Sequence, residues 1–214
     1  PDDVRAFRSQ QYRWIKGGAQ CARSLLPRIL AAPIGWKAKL QGAEHLLETS
    51  FYLVFLALII LTVPMAALSN IEVNVAWIVP VGLFALSMGA LALVYAAPQR
   101  EMIRSPGGAR RFLALWSAFI VVSAGLVVHN GLAALSGLLG RNGEFVRTPK
   151  RDTQRSTGWP VGDAYLPKGL GRSFALEAAL WAYLGAGIAV SVWNGTPYFM
   201  LGPIVAFIGL SYML

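Results

Sequence analysis

The sequence predicts an all-α membrane protein: four transmembrane helices with cytoplasmic, interfacial amphipathic helices beside them. Three observations lead there. Of 214 residues, 56% are hydrophobic and 14% charged, too apolar a balance for a soluble domain of this length. Long uncharged runs recur, the first from Phe51 to Leu68. At about 1.5 Å per residue such a run crosses the hydrocarbon layer. The charges outside the runs are segregated. All 19 Lys and Arg fall in three segments, eight in 1–44, four in 98–111 and seven in 141–172, while the connections 69–74 and 194–197 carry none.

Residues 1–48 form the first region. Arg5, Arg8, Arg13, Lys16, Arg23 and Arg28 interleave with Phe7, Trp14, Ile15, Ala22, Leu25, Leu26, Ile29 and Leu30. The apolar positions recur three and four apart, so one helical face is apolar and the other basic. Gly17-Gly18 and Pro27 break helices. Two or three short helices are therefore expected in the headgroup layer, their cationic side chains snorkelling outward. Pro33 to Trp36 reads as a turn, and Lys37 to Glu48 leads into the bilayer.

Residues 49–97 read as a transmembrane pair, 49–69 and 75–97, with Pro64 a candidate kink. Residues 98–140 hold a basic loop, turned by Pro106-Gly107-Gly108, and an apolar stretch interrupted by His129-Asn130-Gly131. Residues 141–172 are polar and rich in Gly, Pro, Arg and Thr, and a loop of that length is usually functional or disordered. Residues 173–214 read as a second transmembrane pair: 173–193, the turn Asn194-Gly195-Thr196-Pro197, and a last span from Tyr198.

The positive-inside rule places the three basic segments in the cytoplasm and the two uncharged turns outside. A full crossing by 112–128 would put 141–172 outside. The expectation is therefore that 112–140 does not cross but dips in or lies along the interface, bending at His129-Asn130-Gly131. Non-helical backbone there needs protein or water around it.

The formal charge of +9 suits anionic lipid rather than nucleic acid. The one cysteine, Cys21, allows no intramolecular disulfide and no cysteine metal site, and is expected as a small buried or interfacial residue. The chain opens Pro1-Asp2-Asp3 without a signal peptide, which reads as part of a longer protein. His45 and His129 each lack a second nearby ligand for a metal. Glu177 is an acid within an apolar run, a functional candidate by default. It lies near the cytoplasmic end, where headgroups, Arg172 or Arg100 give it a structural role. No glycine-rich phosphate loop, D-x-D or evident general base is present.

Two motifs carry chemistry. Gln10, Arg13 and Trp14 form Q-x-x-R-W, and on a helix they are neighbours on one face. A guanidinium binds phosphate through a bidentate fork, and an indole face stacks on the C–H face of a sugar ring. The trio suits a phosphorylated sugar donor beside a sugar acceptor. Taken alone, it reads first as a tryptophan anchor on an interfacial helix and only second as a site. In the second motif, Phe145-Val146-Arg147-Thr148-Pro149-Lys150, Thr148 and Lys150 suit a diphosphate and Phe145 suits a groove. Alone it is a basic juxtamembrane loop.

Together, the run Phe7 to Gly17 resembles the Q-x-x-R-W region of processive, membrane-embedded family-2 glycosyltransferases, the group of cellulose, hyaluronan and mannan synthases. Phe145 to Lys150 resembles the F-x-V-T-x-K gating loop of the cellulose synthase group, except that Arg147 stands where that pattern has Val. In that detail it looks like a bacterial subgroup. The resemblance spans essentially the whole chain, and its order of helices and motifs is the one derived from charge. It implies the acceptor-binding and membrane-channel part of an inverting hexosyltransferase in a bacterial inner membrane. Trp14 would stack on the acceptor glycan or lipid-linked sugar, Gln10 and Arg13 would bind the donor diphosphate and acceptor end, and Phe145, Thr148 and Lys150 would gate. The implied cofactor is a divalent metal, Mg or Mn, on the nucleotide sugar. Its ligands and the catalytic T-E-D acid are not in this sequence, so these residues alone would be inactive. The competing expectation is a small transporter or scaffold subunit without chemistry.

Overall fold

The computed structural model describes residues 4–68, 77–141 and 170–214. Among them every regular element is helical. In order these are α1 (Val4–Ala31), α2 (Trp36–Leu47), α3 (Phe51–Leu68), α4 (Ile78–Ala96), α5 (Arg100–Arg104), α6 (Gly108–Gly125), α7 (Val127–Leu138), α8 (Leu170–Trp193) and α9 (Leu201–Met213). Single 3-10 turns, Glu48–Ser50 and Pro197–Met200, lead into α3 and α9. The chain divides into two compact units, Pro1–Leu56 with Val128–Leu176, and Ala57–Val127 with Glu177–Leu214.

Three helices are long and apolar enough to cross a membrane: the run Trp36–Leu68, which joins α2 and α3 through the 3-10 turn, then α4, then Ser173–Trp193 of α8. The helices α6 and α7 meet that standard only together, as a sharply bent pair, and would make a fourth. The run Pro197–Met213, where the last span was expected from Tyr198, is a shorter apolar helix. The set is compatible with a multi-pass membrane protein. None of α4 is buried within the chain, and Leu93 on it is 74% exposed. An apolar helix left this bare is compatible with lipid contact. Trp77 and Trp193 stand exposed at helix ends, where interfacial anchors sit.

In the second unit, α6 and α9 form the most extensive helix pair. They cross at Gly125 and Gly209, where a Cβ on Gly209 would strike the backbone of Val121 and of Gly125. Missing side chains let the two backbones approach, the usual device of membrane helix pairs. Trp181 of α8 stacks on Phe207 of α9, centroids 5.1 Å apart, and its indole N–H donates to Ser211 Oγ at 2.8 Å.

The proline in α3 is compensated. Pro64 has no N–H, so the Ile60 carbonyl loses its helical donor. The Tyr183 phenol of α8 donates to that oxygen at 2.7 Å. At the C-terminal end of α3, Thr196 Oγ1 donates to the Ala66 carbonyl at 3.2 Å and Asn194 Nδ2 to the Ala67 carbonyl at 3.4 Å. These are carbonyls that a helix end leaves without partners. The turn after α8, with Gly195 at φ +70, thus also caps α3.

The first unit differs from expectation in α1, which is one helix of 28 residues rather than two or three. Gly18 is a contact position, not a break: a Cβ there would strike the Thr49 side chain. Pro27 lies near the C-terminal end of the helix without ending it. The helix α2 folds back on α1, and Lys39 Nζ donates to the Leu30 carbonyl at 2.7 Å, closing an orphan acceptor at the α1 terminus.

The bend expected at His129-Asn130-Gly131 lies earlier, at Leu126, whose backbone leaves helical geometry (φ −90, ψ 4). His129 and Asn130 are buried inside α7. The break follows Gly125, which is held against Gly209. His129 is accommodated without opening the helix because its ring finds a backbone acceptor.

Candidate functional site

The helix α1 has a packed side and an open side. On the packed side, α7 runs alongside in the same direction. His129 lies against the α1 backbone at Arg8, Gly137 against the Lys16 carbonyl and Ala19, and Gly140 against the Arg23 side chain. Residues in this contact recur three and four apart along α1, as one face of a helix requires. Arg8, Ser9, Ala19 and Ala22 are buried. Gly18, pressed on Thr49, holds a second edge of the helix.

The His129 contact is specific. Its Nε2 is 2.9 Å from the Arg8 carbonyl oxygen. A carbonyl only accepts, so Nε2–H donates and the neutral ring carries its proton there. The Tyr12 ring is 5.5 Å from the imidazole, centroid to centroid, and tilted. Asn130, fully buried, has no hydrogen-bond partner for either amide atom among the described residues. An unmet buried polar group costs about 1–3 kcal/mol.

Gln10, Arg13 and Trp14 lie on the open side. Trp14 is 61% exposed, the most exposed residue on that stretch of α1 to carry a large apolar ring. Gln10 and Arg13 beside it are half-buried. Arg13 Nη1 reaches back one turn to donate to Ser9 Oγ at 3.4 Å. Gly17 lies on the same face, one turn on from Arg13 and Trp14, and apart from its own helix backbone and chain neighbours no described atom lies within 4 Å of where its Cβ would be. Sequence reading treated Gly17 only as a helix breaker.

This arrangement presents an amide, a guanidinium and an exposed indole on a helix clamped from behind. A rigid aromatic face beside a cationic fork suits a flat, hydroxylated ring with an anionic neighbour. The structure brings Gln10, Arg13 and Trp14 together. Phe145, Thr148 and Lys150 lie outside the described residues.

The remaining candidates are dispersed. Glu177 is fully buried in α8. His45 Nδ1 sits 3.9 Å from Glu48 Oε2 on a solvent-facing surface. Cys21 is exposed, which leaves the interfacial alternative standing. Among the described residues no group of three His, Cys, Asp or Glu side chains is placed to hold a metal ion. The divalent ion implied by the resemblance therefore finds no ligand set among them. No family model, curated protein or solved structure matches this chain.

Proposed function

We propose that this chain is the acceptor-binding and membrane-channel portion of an inverting glycosyltransferase. The whole enzyme would move a hexose from a nucleotide sugar to a growing glycan or a lipid acceptor. The observation that carries this reading is the open face of α1, where Trp14 is exposed with Gln10 and Arg13 beside it. Trp14 supports the acceptor ring, and Arg13 and Gln10 bind the donor diphosphate and the acceptor end. Phe145, Thr148 and Lys150 close over the diphosphate. The acceptor hydroxyl attacks the anomeric carbon in line, the bond to the diphosphate breaks, and a carboxylate outside these 214 residues takes the hydroxyl proton.

The proposed orientation places the basic segments in the cytoplasm, with α6 and α7 as a re-entrant pair. Gly131 of α7 supports it, because that residue lies against Tyr52, Leu53 and Leu56 at the N-terminal, entry end of α3. Replacing Trp14 with Ala, in the enzyme joined to its catalytic domain, should abolish sugar transfer while membrane insertion persists. Undiminished transfer would remove Trp14 from the acceptor site.

A second reading, a transport subunit, draws on Glu177, an acid fully buried in an apolar helix. Ion flux in liposomes that depends on Glu177 would favour it.

A further inference from the structure

Every Lys and Arg of the second unit stands in the hairpin of α5 and α6: Arg100 and Arg104 on the first arm, Arg110 and Arg111 on the second. All four are exposed, and Glu101 is the single acid among them. The hairpin is closed from within. The Gly108 N–H donates to the Ser105 carbonyl at 2.8 Å, and Ser105 Oγ donates to the Met102 carbonyl at 2.6 Å. A Cβ on Gly108 would strike that Met102 carbonyl, so glycine lets the arms pack and fixes where the arginines start. Among the described residues none of the four forms an ion pair. Arg110 and Arg111 lie in the first turn of α6, where a helix disfavours cations and no acid offsets them. These charges do not serve the helix that carries them.

The surface beside them identifies the partner. One turn beyond Arg110 and Arg111 come Leu113 and Leu115, 57% and 55% exposed, each on the face of the arginine before it. The helix α4, which leads into the hairpin, buries none of its residues. Its last turn meets α6 where the Tyr95 and Phe119 rings lie 4.9 Å apart, centroid to centroid. Cationic forks followed at once by bare apolar helix match an anionic head on an apolar stem. Phosphate oxygens take the guanidinium forks, and acyl chains cover the leucines. We propose that the α5–α6 hairpin is a binding site for an anionic phospholipid whose headgroup carries two phosphates. The arginine pair on each arm takes one phosphate. The proposal is independent of the sugar-transfer reading and uses none of its residues.

The test uses the full 214-residue chain in phosphatidylcholine nanodiscs. Tetraoleoyl cardiolipin or dioleoyl phosphatidylglycerol is added at equal total charge, retained lipid is counted by native mass spectrometry, and thermal unfolding is recorded for every variant. The wild type should retain one cardiolipin per chain and prefer it to phosphatidylglycerol by about tenfold or more, because its two phosphates are linked. Arg110→Gln with Arg111→Gln should weaken cardiolipin binding about thirtyfold, and Arg100→Gln with Arg104→Gln should do the same. Arg28→Gln with Lys37→Gln removes equal charge from the first unit and should leave binding unchanged. Arg110→Lys with Arg111→Lys keeps the charge without the fork and should fall between. Equal losses from the hairpin and the first-unit variants would mean diffuse attraction and overturn the site. Equal affinity for the two lipids would overturn the two-phosphate assignment. Displacement of cardiolipin by an equal concentration of pyrophosphate would reveal a site for soluble anions and overturn the lipid as its occupant. Should the glutamine variants melt lower in phosphatidylcholine alone, the lysine pair decides, and wild-type affinity there overturns the proposal.

Discussion

At the scale of single residues, the clearest physical account concerns Pro64. Its ring removes one N–H, which leaves the Ile60 carbonyl without its partner in an apolar helix. Tyr183 is 123 positions away in sequence and donates to that oxygen. Tyr183→Phe should therefore destabilise the protein by about 0.5–1.5 kcal/mol, read as a lower melting temperature in nanodiscs. In a Pro64→Ala background the helix recovers its own donor and the same change should be nearly neutral. Equal effects in both backgrounds would mean that the phenol is not serving the freed carbonyl. Sequence shows the proline but not its remedy, since nothing local to Pro64 names a tyrosine in another helix.

At the scale of helices, α1 was partly legible. Its amphipathic pattern is a local property, read from apolar residues three and four apart. Its continuity was not legible. A glycine costs a helix only about 1 kcal/mol, and contacts with Thr49 on one edge and α7 on another outweigh it. The α7 contact depends on close approach at Gly137, where a Cβ would lie 2.5 Å from the Lys16 carbonyl oxygen and 2.7 Å from the Ala19 Cβ. Gly137→Val should force the helices apart and destabilise by about 1–3 kcal/mol. Thermal unfolding of the variant decides this, and an unchanged midpoint would deny that α7 clamps α1. The same separation would loosen the support behind Trp14, so on the proposed acceptor-site reading sugar binding should weaken along with stability.

For the whole molecule, charge and hydropathy made most of the class readable. The spans expected at 49–69, 75–97 and 173–193 correspond to α3, α4 and Ser173–Trp193 of α8. Composition sees these because lipid-facing helices need apolar side chains all round. The stretch after residue 108 was harder, since α6 and α7 are individually ordinary apolar helices and only their bend makes them a pair. The proposed re-entrant path has a direct check. A tag placed within residues 151–165 should be reachable only from the cytoplasmic side in intact cells. Labelling from outside would mean that the pair crosses after all.

By itself, the sequence determined the helical class, the three long apolar helices and the alignment of Gln10, Arg13 and Trp14 on one face. Each follows from local periodicity and from the solvation of side chains, which need no knowledge of neighbours. Only the tertiary structure decided that α1 runs unbroken, that the bend falls at Leu126, and that the aligned face is the open one. Those outcomes depend on which helix lies against which. The glycine contacts at Gly18, Gly125, Gly137 and Gly209 set that, because each lets a particular partner approach where any side chain would hold it off.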